Sequence, residues 1–271
     1  MRLTDKIAVI TGAGSGIGAA TAARLRADGH TVIGVDLRGA EIEADLGTTE
    51  GRSHAIAEIT ERSGGVINGF VPCAGISGLP GRPASLLVSV NYFGTVELLA
   101  ALRPLLAAGA PSAAVAISSN STTCQPGYSM DLVNACLTGD EGAARVIGDQ
   151  GDSINAYPAT KNAVAKWVRR NAVLPEWAGE GITLNAIAPG MIATPMVQEG
   201  KDDPSIRPGM EMFEATIAMG GAGAPEQIAG LLAFLLGPDA RFFCGSVIFC
   251  DGGTDASFRA NDWPALWKPG A

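Results

Sequence analysis

A short apolar run at residues 7–10 ends in T-G-A-G-S-G-I-G (11–18), and an Ala-rich stretch, 17–28, follows before Gly29. Apolar residues without alternation suit a strand buried on both faces. Glycines 12, 16 and 18 allow a tight turn from that strand into a helix. This strand–glycine turn–helix constrains the fold most, because it opens a crossover unit with parallel strands. The same alternation continues along the chain. Runs at 31–35, 69–72, 114–117, 183–187 and 246–249 read as strands, and stretches at 53–62, 90–106, 156–174 and 225–236 read as helices. The pattern predicts an α/β fold, a Rossmann-type doubly wound parallel sheet. No repeat, low-complexity tract or linker interrupts it, so residues 1–271 are expected to form a single domain.

Two segments break the rhythm. Residues 121–154 carry only short helical patterns and read as an insertion; 195–223, rich in Gly, Pro and Met, read as a lid. The lid's Met196, Val197, Met210, Met212, Phe213, Ile217 and Met219 would suit a bulky apolar ligand, although core packing explains them equally well. A hydrophobic fraction of 47% supports a substantial core, and a net charge of −8 argues against nucleic acid or an anionic membrane as partner. The five cysteines include no C-x-x-C pair, so neither a zinc site nor a disulfide framework is indicated. The start lacks a signal-peptide core, and the longest lipid-like run, 228–236, falls short of the ~20 residues needed to span a bilayer. A cytoplasmic protein is expected.

The glycine turn brings backbone N–H groups and the positive end of a helix to an anion such as a pyrophosphate. Its spacing is T-G-x-x-x-G-x-G, not G-x-G-x-x-G. Asp36, closing the second strand, can accept from adenosine ribose hydroxyls and would repel a 2′-phosphate. Ser15 and Leu37 carry no charge, and Arg38 is read as a solvated surface cation, so NAD is the expected cofactor. Downstream, Tyr157 and Lys161 lie in N-A-Y-P-A-T-K. At i and i+4 they share one helix face, so the ammonium is expected to lower the phenol's pKa and ready it to exchange a proton with an alcohol or ketone. His30 and His54 lie far from these residues in sequence, and nothing points to a metal.

From Lys6 to Gly253 the chain resembles the short-chain dehydrogenase/reductases. The matching motifs are T-G-A-G-S-G-I-G, Asp36, Asp45-Leu46, C-A-G (73–75), Asn91 in V-N-Y-F-G, I-S-S (117–119), Y-P-A-T-K (157–161), N-A-I-A-P-G (185–190) and D-G-G (251–253). The resemblance implies a catalytic set of Asn91, Ser119, Tyr157 and Lys161, with Ser119 and Tyr157 meeting the substrate. Ser118, Asn120 and Ser121 compete for the serine's role on sequence alone. It further implies cofactor contacts from Gly12, Ala13, Gly14, Ser15, Gly16, Ile17, Asp36, Leu37, Asp45, Leu46, Cys73, Ala74, Gly75, Tyr157, Lys161, Pro189, Gly190, Ile192 and Thr194. Cys73 departs from the family's usual Asn, which should loosen a tie between strands. The runs V-I-G-V-D-L-R-G-A-E-I-E-A-D-L and V-S-V-N-Y-F-G, with the insertion, are similar to the branch that oxidises 3α-hydroxysteroids and reduces carbonyls.

The expectation is an NAD-dependent oxidoreductase that interconverts a secondary alcohol and a ketone, on a hydroxysteroid or another bulky apolar carbonyl. The same chemistry on a cis-dihydrodiol, a small secondary alcohol or a xenobiotic ketone is the alternative; a silent NAD-binding regulator is more remote. The family usually forms tetramers. Here Leu132, Val133, Leu137, Val146 and Ile147 of the insertion should cover one interface, leaving a homodimer through the C-terminal elements, helped by Trp263 and Trp267.

Overall fold

Seven parallel strands follow the order β3-β2-β1-β4-β5-β6-β7 in the computed structural model, which describes residues 6–266. They are β1 (Ile7–Thr11), β2 (Thr31–Asp36), β3 (Ile42–Glu43), β4 (Gly69–Pro72), β5 (Ser112–Ile117), β6 (Ile182–Pro189) and β7 (Val247–Cys250). Every residue of β6 is buried, as expected of a strand covered on both faces. The strand order reverses between β1 and β4, and in such sheets the crevice beyond the strands' carboxyl ends at that point takes ligands. β3, two residues long, has no counterpart among the sequence expectations.

Helices α1 (Gly16–Ala27) and α11 (Pro225–Leu236) cover one face of the sheet. The other face carries α2 (Thr49–Ser63), α4 (Gly94–Ala108) and α8 (Ser153–Asn171). Before α4 come α3 (Ala84–Leu87) and a π-helical turn at Val88–Phe93, and the three run on as one helical stretch, Ala84–Ala108. That stretch corrects the expectation that 228–236 is the longest lipid-like run: it has the length and apolarity to cross a membrane. Of its most apolar window 72% is buried inside the protein, as in a core helix.

Cys73 follows β4, where the β4–β5 ladder pairs only Gly69 with Ala113 and Phe70 with Ala114. The neighbouring Ala74 N–H is held by Thr11 Oγ1 at 3.0 Å.

The segment 121–154 is helical. It holds α5 (Ser121–Cys124), α6 (Met130–Thr138) and α7 (Glu141–Gly148). Ser129 caps α6 by accepting from Leu132 N–H, and Asp140 caps α7 by accepting from Ala143 N–H. Gly139, at φ 83°, takes the left-handed conformation that ends α6. These helices pack on α8 and the π-helical turn, burying Leu132 and Val133 completely or nearly so, while Leu137 and Ile147 are partly buried against the same core. Val146 departs from the expectation: it is 64% exposed and covers nothing. Glu141 of α7 pairs with Arg52, a guanidinium only 1% exposed that also binds Glu97 of α4 and the Leu46 carbonyl.

The segment 195–223 forms α9 (Pro195–Asp202) and α10 (Arg207–Glu214), and a last short helix, α12 (Thr254–Phe258), follows β7.

Candidate active site

The cleft at the strand reversal measures about 260 Å3 and is lined from the glycine turn, the ends of β2, β4, β5 and β6, and the first turn of α9. Glycine is required in its floor. A Cβ on Gly18 would stand 2.0 Å from the Gly12 carbonyl oxygen. Gly12, at φ 68°, would bring one to 2.9 Å from Ala74 N. Ser15 is the N-cap of α1 but makes no side-chain cap bond, and the first turn of α1 holds no acid. The N–H groups of that turn therefore face the cleft without a protein acceptor of the usual kind, a site for an anion.

Asp36 closes one end. Its Oδ2 accepts from Gly14 N–H at 2.9 Å and its Oδ1 from Leu37 N–H at 2.7 Å, which orients the carboxylate and leaves lone pairs on each oxygen. Arg38 is exposed and, among the described residues, forms no ion pair. Asp45 and Leu46 line the same end, and Arg52 fixes the Leu46 carbonyl from behind.

At the other end α8 delivers Tyr157 and Lys161. Asp152 caps this helix, accepting from Asn155 N–H at 2.8 Å. Pro158 has no N–H to give Ile154, whose carbonyl takes Gln125 Nε2 at 3.2 Å instead. Lys161 is 4% exposed, lies 5.9 Å from the Tyr157 ring centre, and donates to the Ile117 carbonyl at 3.0 Å. Ser118 returns a bond from β5 to α8, its Oγ donating to the Lys161 carbonyl at 3.0 Å. Ser119 lies near enough to the Tyr157 phenol to favour its ionised form, and its Oγ accepts from Ser121 N–H at 3.1 Å. With that lone pair filled, the serine's own proton is free to point at the phenol or at a substrate oxygen.

The pKa pattern corrects one expectation. Burial holds the Tyr157 phenol above its ordinary range; the Ser119 hydroxyl works the other way, and Cys73 adds to the rise. The net shift is therefore upward, not the fall that the i, i+4 spacing suggested, although the Lys161 ammonium lies 5.9 Å from the ring centre. Burial brings the lysine itself down to about 8, against a smaller opposing influence of Cys73. The Cys73 thiol is pushed up to about 12 by burial, so it stays protonated at neutral pH.

Asn91 sits in the π-helical turn, fully buried, and does not line the cleft. Its Oδ1 accepts from Ile76 N–H at 2.8 Å and its Nδ2 donates to the Ile76 carbonyl at 3.0 Å. A Cβ on Gly75 would lie 3.2 Å from Asn91 Oδ1 and 3.4 Å from Lys161 Nζ, so the two groups flank one backbone position. Ala13 and Gly14 also stay outside the lining: Ala13 N–H bonds the Val35 carbonyl, and Gly14 serves by holding Asp36. The other residues expected at the cofactor are on the wall: Gly12, Ser15, Gly16, Ile17, Leu37, Cys73, Ala74, Gly75, Pro189, Gly190, Ile192 and Thr194.

Sequence reasoning weighed Ser118 only as a rival of Ser119, not as a tie to α8, and it missed Tyr128. The Tyr128 hydroxyl donates to the Thr122 carbonyl and accepts from Asn162 of α8, both at 2.8 Å, so the insertion clamps the turn after Ser119. A tyrosine in an insertion carries no positional signal. Of the lid's apolar residues only Met196 and Val197 line the cleft. Met210 packs on Gly200, Ile217 is buried against Gly252, and Met212 and Met219 are exposed.

A glycine cradle, an acid at the end of β2 and a serine–tyrosine–lysine cluster define an alcohol–ketone oxidoreductase, and the chain belongs to the short-chain dehydrogenase family. The family profile described as short chain dehydrogenase matches residues 6–130, and that described as enoyl-(acyl carrier protein) reductase matches 142–255. A 3-alpha-hydroxysteroid dehydrogenase/carbonyl reductase of Comamonas testosteroni is 41% identical over 257 residues, 93% of this chain and 98% of that one. The levodione reductase of Leifsonia aquatica is 31% identical, over 95% of this chain and 97% of its own. Among solved structures, the 3-alpha-hydroxysteroid dehydrogenase from Pseudomonas sp. B-0831 complexed with NADH superposes with a TM-score of 0.89 at 44% identity, covering 94% of this chain and 99% of that one.

Proposed function

We propose that this protein is an NAD-dependent oxidoreductase that interconverts a 3α-hydroxysteroid, or a comparably bulky apolar alcohol, with its ketone. The observation that carries the reading is the meeting of Ser119, Tyr157 and Lys161 at one end of a cleft whose other end is a glycine cradle and Asp36. The relatives named above support the steroid. Residues 1–271 act as one domain, with 121–154 as insertion and 195–223 as lid.

Tyr157 Oη moves the proton: it takes it from the alcohol in oxidation and returns it to the carbonyl oxygen in reduction. Ser119 Oγ–H holds that oxygen and supports charge developing on it. Lys161 would hydrogen-bond the nicotinamide ribose, and Asn91 holds the Ile76 backbone in place near it. The bound nicotinamide supplies the hydride acceptor in oxidation and the donor in reduction. The uncapped first turn of α1, with Ser15 and Ile17, would take the pyrophosphate; Asp36 and Leu37 would take the adenosine ribose; Asp45, Leu46 and Cys73 to Gly75 would line the adenine side; Pro189, Gly190, Ile192 and Thr194 would face the nicotinamide. Met196 and Val197 present apolar surface to the substrate.

A panel of hydroxysteroids, a cis-dihydrodiol and small alcohols, assayed with NAD by absorbance of the reduced cofactor, tests the substrate. Turnover of 3α-hydroxysteroids above the others is expected; turnover of small polar alcohols alone would overturn the assignment. NAD should be preferred to NADP by at least about tenfold, about 1.4 kcal/mol. Asp36→Ala should narrow that ratio by removing the repulsion, read as kcat/KM for each cofactor. Equal values in the unaltered enzyme would refute the role of Asp36.

We infer a cytoplasmic homodimer. Supporting it, α6 and α7 cover α8 and the π-helical turn, whereas β7 is an edge strand and Phe242, Phe258 and Trp263 are exposed near the C-terminal elements. Trp267 lies outside the described residues. Light scattering should return a dimer, joined through α11 and β7; a stable tetramer would show that the helical face is not blocked.

A further inference from the structure

Residues 195–218 make up α9, α10 and the chain after them, and this stretch is fastened at its two ends. At the first, Ala193 N–H bonds the Gly223 carbonyl and Gly223 N–H the Met191 carbonyl; at the second, Met219 N–H bonds the Gly252 carbonyl. Between these ends the hydrogen bonds are internal. Lys201 pairs with Glu214 at 2.6 Å, and Arg207 reaches the Lys201 carbonyl, which ties α9 to α10. Among the described residues, a single hydrogen-bonded contact joins residues 195–218 to any part of the chain outside 191–223. It is Arg82 Nη2 to Glu199 Oε1, at 2.8 Å.

Arg82 is braced for this contact. Its Nη1 donates to the Ser77 carbonyl at 2.6 Å and to Ser77 Oγ at 3.3 Å. Ser77 adjoins Ile76, whose backbone is bonded twice by the Asn91 side chain. The guanidinium is therefore mounted on the rigid wall of the cleft, where Ile76 forms part of the lining. Glu199 stands one helical turn beyond Met196, which lines the facing wall with Val197. Thr194, the cap of α9, lies 3.1 Å from where a Cβ on Gly16 would be, so the start of α9 abuts the glycine turn.

We propose that the Arg82–Glu199 pair is a strap that holds α9 closed over the cleft and sets the rate at which the cofactor leaves. This rests on the assignment of the cleft to NAD. Both residues are positioning residues; neither touches reacting atoms. Exposed ion pairs are weak and screened by salt. Here, among the described residues, the pair is the one hydrogen-bonded tie from this segment to the chain outside 191–223, so its loss acts directly on how often α9 swings away.

The test is stopped-flow fluorescence of NADH dissociation, chased with excess NAD, for the unaltered enzyme, Arg82→Gln, Glu199→Gln and the double variant. Each single variant should release NADH about 3- to 5-fold faster, the range that an exposed pair supports. The double variant should be no faster than either single. Raising salt should speed release from the unaltered enzyme and leave the variants nearly unchanged. Without cofactor, amide exchange in α9 should quicken in Glu199→Gln. Unchanged release in the singles, or effects that add in the double, would overturn the strap while leaving the cofactor assignment intact. An unaltered enzyme that binds no NADH would sink the cofactor assignment, and the strap with it.

Discussion

Tyr157→Phe is expected to lower turnover by about 10²- to 10⁴-fold, the usual contribution of a positioned acid/base group. The dissociation constant for NADH should stay within about a factor of two, since the ring keeps its packing and only the transferable proton is lost. The effect should be as large in oxidation as in reduction, because the same Oη serves both directions. A variant retaining a tenth of the activity would move the role to another group. Oxidation by the unaltered enzyme should accelerate as pH rises, since the phenolate is the form that accepts the alcohol's proton. In the cofactor-free protein, burial keeps that form scarce.

Lys161→Met is expected to do two opposite things: to abolish activity with loss of NADH affinity, and to stabilise the cofactor-free protein. Lys161 is 4% exposed and faces no carboxylate partner in the described residues; its one hydrogen bond goes to the Ile117 carbonyl. Its fall from 10.5 to about 8 corresponds to about 3 kcal/mol against the charged form. Losing the bond to Ile117 returns about 1 kcal/mol of that. A net gain of about 2 kcal/mol would raise Tm by roughly 4–8 °C in a chain of this size. The pH dependence has a definite sign. Because the folded pKa lies below the unfolded one, the unfolded chain binds the extra proton between about 8 and 10.5. The advantage of the Met variant should therefore be full below about pH 8 and fade as pH approaches 10.5. Thermal melts across that range measure it, and a lower Tm for the variant at neutral pH would show that the lysine's bonds outweigh its burial.

The main frame was legible because it rests on local signals. The strand ends at Thr11 and Asp36 follow from apolar runs stopped by glycine or acid, and 225–236 shows as one apolar stretch opened by Pro225. β3 was not legible, because two residues containing a glutamate have no periodicity to read. The helices of the insertion carried their caps, Ser129 and Asp140, in plain view, but the fold that makes Arg52 bury itself against Glu141 is a tertiary event. In the site, Tyr157 and Lys161 were found by spacing. Their electrostatics were misjudged because i, i+4 neighbours reveal proximity and not solvent exclusion. Asn91 was placed in the right region, but sequence could not show that its amide would be spent on Ile76.

Arg52 gives the insertion a meaning beyond blocking a surface. One guanidinium, nearly sealed from water, spans three parts of the chain: Glu141 in the insertion, Glu97 in the long helix beneath, and the carbonyl of Leu46 at the Asp36 end of the cleft. Taking away Glu141 leaves Glu97 to balance the charge, but it strips Nη2 of its carboxylate acceptor in a place nearly closed to water, where a hydrogen bond to a charged group is costly to lose. The segment 121–154 is therefore not an appendage that protein engineers could trim or graft as a unit. A loop-shortened version would leave Arg52 short of one partner, and its first defect would surface far from the cut, at the Leu46 wall of the cleft.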